Sequence, residues 1–315
     1  MTTSTVYIGV DIAKKTLDVF HPNKTKKRQS QSVSHDRKGR GKLIKQLRAF
    51  PGTHVICEAT GGYERTLVTA LQDAQIPISV VNPRQVRDFA KSRGILAKTD
   101  KLDARVLAEY GQKNEPKPTP PKAPEQVQLE ALVHRRQQLV GMKKMERCRL
   151  LQAHDMGIKK MIRSTIRSFE TQIEKVEKEM AALVERTAPL QAIVKVFTEV
   201  KGIGFISAVS LVANLPELGK VNRGQIAALA GVAPLNCDSG KFKGKRSIWG
   251  GREEVRQTLY MVALVASRRN PQFKEFYDRL LSKGKAKKVA LVAVMRKMLI
   301  FLNALMKTHQ LQLSF

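Results

Sequence analysis

Acidic side chains are in short supply in this chain: 27 Asp+Glu face 57 Lys+Arg, leaving a formal net charge of +30 over 315 residues. The basic residues recur along the whole length, so the imbalance points to a polyanionic partner. The alternative is a basic but inert surface of the kind ribosomal and chromatin proteins carry. Cysteine is scarcer still. Cys57, Cys148 and Cys237 are odd in number, far apart and without C-x-x-C spacing, which excludes a disulfide framework and a zinc site and fits a reducing cytoplasm. Long apolar runs are missing too: no stretch approaches the roughly 18 consecutive apolar residues of a membrane span, and residues 1–5 are polar. The expectation is a soluble protein, neither inserted nor exported, with no membrane partner. With 42% hydrophobic residues it can bury substantial cores, and its length predicts two or three packed units.

The first 110 residues alternate β-type runs with helical ones, the mark of an α/β domain. Residues 6–11 read as a buried strand and 16–20 as a second strand after the Lys14-Lys15 connection. Residues 27–34 read as a third, edge-exposed strand, giving an antiparallel meander. Then follow a helix over 42–50, a strand over 53–58, a helix over 63–73, a strand over 76–81 and a closing helix from about 100 to 110. That order is expected of a ribonuclease H-like domain, although periodicity alone equally permits other mixed sheets.

Residues 114–125 hold Pro116, Pro118, Pro120, Pro121 and Pro124, five of the thirteen prolines. They predict a semi-rigid, extended linker. Two long helical segments follow, over about 125–155 and 158–187. In the second, Ile158, Ile162, Ile166, Phe169, Ile173, Val176, Met180 and Leu183 are spaced 4, 4, 3, 4, 3, 4, 3, a heptad seam. In the first, Leu129, Leu132, Leu139 and Met142 form a weaker seam interrupted by Arg136 and Lys143. An antiparallel helical hairpin fits, closed on itself or used for dimerisation. A third, mostly helical unit begins near Pro189. In it Gly202 and Gly204, in Lys201-Gly202-Ile203-Gly204, resemble the turn of a helix-hairpin-helix, where glycines let backbone amides approach a phosphate. A plain helix connection fits that turn equally well.

Four acids stand out because acids ending buried strands are costly unless something pairs with them. Asp11 ends the strand Tyr7-Ile8-Gly9-Val10-Asp11, and Glu58 ends Val55-Ile56-Cys57-Glu58. Asp100 and Asp103 are spaced i, i+3, so on a helix they share a face about 4.5 Å apart along the axis. Hard carboxylate oxygens suit Mg²⁺, and two such cations about 4 Å apart can assist phosphoryl transfer. Each acid also has a structural reading: Asp11 as a turn residue, Glu58 as an ion-pair partner, Asp100 as an N-cap with Asp103 in its first turn. Together, in this order, they favour metal. Ser239 lies in a basic, glycine-containing loop with Lys241, Lys243, Lys245, Arg246 and Arg252, able to grip a phosphate. From the residues alone Ser239 reads as an ordinary turn serine, with Ser247 and Cys237 as rival nucleophiles.

These motifs resemble the DEDD transposases of bacterial insertion sequences, related to Piv-type DNA invertases and to bridge-RNA-guided recombinases. The resemblance is carried by Tyr-Ile-Gly-Val-Asp at 7–11, Cys-Glu-Ala-Thr-Gly at 57–61, Val-Asn-Pro at 81–83 and Lys-Thr-Asp-Lys-Leu-Asp-Ala-Arg at 98–105. Further on, the Gly-Ile-Gly turn, Ala-Leu-Ala-Gly-Val-Ala-Pro at 228–234 and Asp238-Ser239-Gly240 match as well. The resemblance implies an α/β plus α architecture. Residues 1–113 would be a RuvC-like metal-binding domain, 114–125 a linker, 126–188 a coiled-coil hairpin and 189–315 a transposase domain. It implies Asp11, Glu58, Asp100 and Asp103 as ligands for Mg²⁺ or Mn²⁺ and Ser239 as a nucleophile that becomes linked to a DNA 5′-phosphate. As partners it implies target and donor duplex DNA, a structured noncoding guide RNA, and further copies of the chain as a dimer assembling to a tetramer, in a bacterial cytoplasm and near the nucleoid. Two other readings compete. A Holliday-junction resolvase would use the four acids with water and no serine, and an architectural nucleic-acid-binding protein would use the acids structurally.

The charge carries its own prediction. Log affinity for duplex DNA should fall against log salt with a slope of about −0.9 per phosphate contacted. Affinity that is flat with salt would remove the polyanion reading.

Overall fold

The alternation of apolar residues in the first strands decides the layering of the first unit, residues 1–121 of a computed structural model. The structure describes residues 5–23, 25, 29–95, 100–236, 238–240, 242–244 and 246–309, with only the backbone at Asp100, Lys101, Phe242 and Lys243. Strands β1 (Val6–Ile12), β2 (Thr16–Phe20) and β3 (Ser30–Ser34) form an antiparallel meander. Strands β4 (Thr53–Glu58) and β5 (Ile78–Val81) extend the sheet in parallel with β1, giving the order β3-β2-β1-β4-β5. This mixed sheet agrees with the ribonuclease H-like expectation.

Because side chains alternate across a strand, Ile8, Val10 and Ile12 meet one layer while Tyr7, Gly9 and Asp11 face the other. The first layer is α1 (Arg37–Arg48) and α2 (Arg65–Asp73), whose Leu43, Leu47, Leu67 and Leu71 pack with Ile8, Val10, Val55 and Cys57. The second is α3 (Pro83–Ser92) and α4 (Asp100–Asn114), whose Val86, Ala90, Val106 and Leu107 pack with Ile56, Val81 and Tyr7. Helix α3 was not expected from periodicity. Its signals are local: Asn82 accepts from the Arg84 amide as N-cap, and Pro83 occupies the first turn. The third strand opens at Ser30, and residues 27 and 28 of the expected run lie outside the described residues.

The proline segment after α4 does more than span a gap. The Thr119 amide donates to the Ile78 carbonyl (2.7 Å), its hydroxyl accepts from the Val80 amide (2.9 Å), and its carbonyl accepts from Gln72 (2.9 Å). The Ser79 hydroxyl lies 2.7 Å from the Lys117 carbonyl and 2.8 Å from buried His54 Nε2. The prolines cannot form a ladder, but Thr119 covers the otherwise open edge of β5. Burial holds the His54 imidazole below its usual pKa.

The second unit, residues 122–315, is built on helices. Helices α5 (Pro124–Gln152) and α6 (Met156–Arg186) run antiparallel, as the Arg136–Glu177, Arg147–Glu170 and Arg186–Gln128 contacts require. Only the inner half of the α6 seam is covered: Ile166, Ile173, Met180 and Leu183 are buried, whereas Ile158 is exposed. Helices α7 (Ala188–Thr198), α8 (Phe205–Asn214), α9 (Arg223–Leu229), α10 (Glu253–Arg269), α11 (Pro271–Ser282) and α12 (Lys287–Thr308) enclose one core. Helix α12 is long and apolar enough by composition to cross a membrane. Here its Leu291, Val294, Met298, Leu299 and Leu302 lie inside that core, and buried Asn303 bonds the Gly219 amide and Val221 carbonyl. Between α9 and α10 the chain makes two short strand pairs, β6 (Pro234–Leu235) with β9 (Ser247–Ile248) and β7 (Asp238–Ser239) with β8 (Phe242–Lys243). The expectation of a mostly helical unit holds, and these pairs add to it, since pairs of two residues leave no periodicity to detect.

Glycine at position 9 is a steric requirement. A Cβ there would stand 1.8 Å from the Ala104 carbonyl oxygen and 2.7 Å from the Ala108 nitrogen. Gly9→Ala should therefore push α4 off the sheet and destabilise the first unit by about 1–3 kcal/mol. Gly41→Ala, on exposed α1 with open space around it, should stabilise by up to about 1 kcal/mol. Urea unfolding of the two variants checks the pair, and equal effects would refute the packing account.

Candidate active site

Asp11 and Glu58 come from neighbouring parallel strands. The register Val10↔Cys57 sets each acid one residue further along, at the same end of the sheet and on the same face. That face is the one α4 covers, and the direction of α4 follows from its glycines. A Cβ on Gly111 would meet Tyr7 and Ile56, whereas Gly9 lies against Ala104, Leu107 and Ala108. Moving from Tyr7 to Gly9 along β1 thus moves back along α4 toward its start. One more pleat reaches Asp11, at the level of the first turn, where Asp100 and Asp103 sit. A helix N-terminus favours carboxylates in that turn.

The Asp100 side chain lies outside the described residues. Among the described residues no three His, Cys, Asp or Glu side chains close on one point. Asp103 is half-buried, and the Asp11 carboxylate accepts from the Ile12 amide at 3.0 Å. Sequence reasoning missed one neighbour. Asp18 of β2 stands directly across from Asp11 in the antiparallel register, so two acids face each other where like charges destabilise. The signal was available, since a hairpin through Lys14-Lys15 brings residue 18 opposite residue 11.

The loop leaving Glu58 is held by a second glutamate. Glu64 accepts from the Thr60 amide (3.0 Å), the Thr60 hydroxyl (3.1 Å) and the Gly62 amide (2.8 Å). Burial pushes its pKa up, but these donors outweigh that and hold it below the usual range. Gly61 and Gly62, at φ +68° and +112°, permit the tight path. The Cys57 thiol beside Glu58 is buried in the core, and desolvation with the nearby Glu64 and Glu58 charges pushes it to about 12. It is chemically inert.

Ser239 stands at the tip of an exposed arm in the second unit. It pairs with Phe242 in the antiparallel β7–β8 register, and Gly240 after it adopts φ +56°. Asp238, Ser239, Gly240 and Arg246 are all exposed. Cys237, Lys241 and Lys245 lie outside the described residues, as does the side chain of Lys243. Arg252, grouped in the sequence with the phosphate contacts, turns inward at the root of the arm. Its guanidinium forks onto both Glu217 oxygens (2.6 Å each) and also donates to the Asn214 carbonyl (2.8 Å). Burial raises the Glu217 pKa, but the Arg252 hydrogen bonds and charge more than offset it and leave the carboxyl low. The Arg252 amide also donates to the Leu229 carbonyl at 2.8 Å, so the pair fixes where the arm leaves the core.

The glycine turn joins α7 to α8. Gly202 adopts φ +109°, and a Cβ there would meet Ala266 of α10 at 2.9 Å. The turn lines a 380 Å³ groove with Ile203, Gly204, Ser207, Met261, Val262 and Val265. Among the described residues that lining holds no charged side chain.

Comparison with known proteins adds a likeness along the chain. Residues 8–156 match the DEDD type of IS110 protein described as "Transposase", and residues 194–278 match the group described as "Transposase IS116/IS110/IS902 family". The chain is 32% identical over 320 residues to the pilin gene-inverting proteins of Moraxella lacunata and Moraxella bovis, covering 98% of this chain and 97% of each relative. An uncharacterised 42 kDa protein of insertion element IS900 from Mycobacterium paratuberculosis is 36% identical over 87 residues, 27% of this chain and 22% of that protein.

Glu217→Gln should cost the second unit about 2 kcal/mol near neutral pH. Because the folded pKa of Glu217 is depressed, its contribution is complete above the ordinary carboxylate value and is lost as pH falls through the folded value. Urea midpoints of wild type and variant should then converge on acidification. A gap that stays constant with pH would show that the charge is not responsible.

Proposed function

The chain belongs to the IS116/IS110/IS902 family of transposases and DNA invertases, and we propose that it cleaves and rejoins DNA through Ser239 with metal held by Asp11, Glu58, Asp100 and Asp103. The observation that carries this reading is the convergence of Asp11 and Glu58 on one end of one sheet face, with the first turn of α4 at the same level. The donor set fits the ion class, since carboxylate oxygens are the ligands Mg²⁺ or Mn²⁺ prefers. Bound divalent metal would supply Lewis-acid stabilisation of the attacking and leaving oxygens. The rest falls to the protein. The Ser239 hydroxyl loses its proton and bonds to phosphorus, the bond to the 3′-oxygen breaks, and that oxygen leaves and takes up a proton. The resulting 5′-phosphoserine conserves the energy of the broken linkage for rejoining to another strand. Exposure of Ser239 at a hairpin tip suits attack on a substrate as bulky as duplex DNA, and Arg246 with the arm lysines would hold the phosphate.

A division of labour follows the chain: a RuvC-like acidic domain, the proline segment, a coiled-coil hairpin that joins copies of the chain, and the serine domain with its glycine turn. Target and donor duplexes are the substrates, with a structured noncoding RNA as the guide that the family resemblance implies. The name of the Moraxella relatives makes inversion of a DNA segment as fitting an outcome here as insertion.

Alanine at Asp11, Glu58 or Asp103 should lower strand exchange by roughly 10⁴-fold or more, as loss of a catalytic group commonly does, with circular dichroism unchanged. A reaction stalled after cleavage should carry DNA linked through a 5′-phosphate to the peptide containing Ser239, and Ser239→Ala should lose that adduct while still binding DNA. DNA mapped to Ser247 or Cys237 would move the nucleophile. Robust metal-dependent cleavage by Ser239→Ala would overturn the covalent mechanism in favour of water attack, as in a resolvase.

A further inference from the structure

The arm that carries Ser239 also carries an aromatic side chain that the reaction above does not use. Trp249 is the single tryptophan of the chain, and it is 54% exposed. Indole is ordinarily among the most strongly buried side chains, so an exposed one on a projecting element marks a contact surface. Trp249 directly follows β9, whose Ser247 lies opposite Leu235 of β6. Leu235 is 47% exposed. Both belong to an arm whose sequence is basic: besides the ion-paired Arg252, residues 234–252 hold Lys241, Lys243, Lys245 and Arg246 against the one acid Asp238.

The indole stands on a firm mount. Gly250 and Gly251 follow it at φ +71° and +69°, and a Cβ on Gly251 would meet the Gly231 backbone at 2.1 Å. Arg256 donates to the Gly250 carbonyl, and Arg252 closes the root on Glu217. A flat side chain whose backbone is already ordered loses little entropy when it binds. A partner that is both polyanionic and has flat apolar faces is nucleic acid with accessible bases. Duplex DNA hides those faces within its stack, so the matching form is single-stranded or locally unpaired.

We propose that Trp249 stacks on an unpaired base and so holds a melted strand on the arm that carries Ser239. The inference rests on the reading of this arm as the strand-cleaving element, and it adds a positioning residue to it. The lone tryptophan is its own reporter. Full-length protein is titrated with a mixed-sequence 20-nucleotide single strand and with the matching duplex, each fluorescein-labelled, while indole emission and label anisotropy are followed together.

Binding of the single strand should quench the indole strongly, and the duplex should do so much less. Trp249→Ala should weaken single-strand binding roughly 5- to 150-fold, the range seen for loss of one stacked base, with an unchanged salt slope because no phosphate contact is lost. Trp249→Phe should recover most of the affinity. Anisotropy showing binding with no quenching, or Trp249→Ala binding single strands like wild type, overturns the proposal even if the Ser239 adduct forms. Quenching without an adduct supports stacking and removes the cleavage reading instead. Indole emission that changes with protein concentration alone, together with loss of self-association in Trp249→Ala, would assign this face to a second copy of the chain and overturn base stacking.

Discussion

The backbone approach of β1 and α4 at Gly9 is the contact on which the acidic end of the first unit depends. A residue without a side chain lets the helix settle directly on the strand, with the Ala104 carbonyl where a Cβ would otherwise be. Gly111 repeats the device one to two turns later against Tyr7 and Ile56. Two such points fix both the height and the direction of α4, and hence the level of its first turn relative to Asp11 and Glu58. Interiors are packed too densely to absorb even one methyl group at such a point without displacing backbone. The repulsion among the acids, increased by Asp18 across from Asp11, is thus held in place by apolar packing on both faces of the sheet.

A comparable arrangement supports the serine arm. The arm has almost no core of its own and is held from its root, where Arg252 and Glu217 form a partly buried, forked ion pair. Losing either partner would leave the other charge half-buried and unmatched, which is why such pairs are costly to break. Anchoring at the root leaves Ser239 exposed. The same design leaves Trp249 and Leu235 exposed on the arm.

Charge and apolar surface therefore have separate roles in this family member. The net charge of +30 gives attraction to any polyanion without specifying where it binds, since such attraction is long-ranged and sequence-independent. The features that act at short range are the carboxylate end of the sheet, the hairpin tip and the exposed indole. Helix α12 shows the same caution from the other side, because its apolar composition belongs to a core helix whose buried Asn303 ties down the Gly219–Val221 turn.

Much of the first unit was legible in the chain itself because its cues are local. Alternating apolar residues set β1, β2 and β4, and proline density marked the stretch between α4 and α5 as neither helix nor strand. The family likeness, too, lies in short motifs. Helix α3 was legible in principle from Asn82-Pro83 but was missed, because a cap is a single-residue signal and carries no period. What only the tertiary structure decided are matters of long-range register and packing. These are the placement of Asp18 opposite Asp11, the docking of Thr119 along β5, and the direction of α4 over the strand ends. The inward turn of Arg252 belongs with them, for a sequence lists its charge without saying which carboxylate neutralises it. Charge, periodicity and caps act within a few residues of one another and can be read in order, whereas a partner dozens of positions away is chosen by the fold that brings it near.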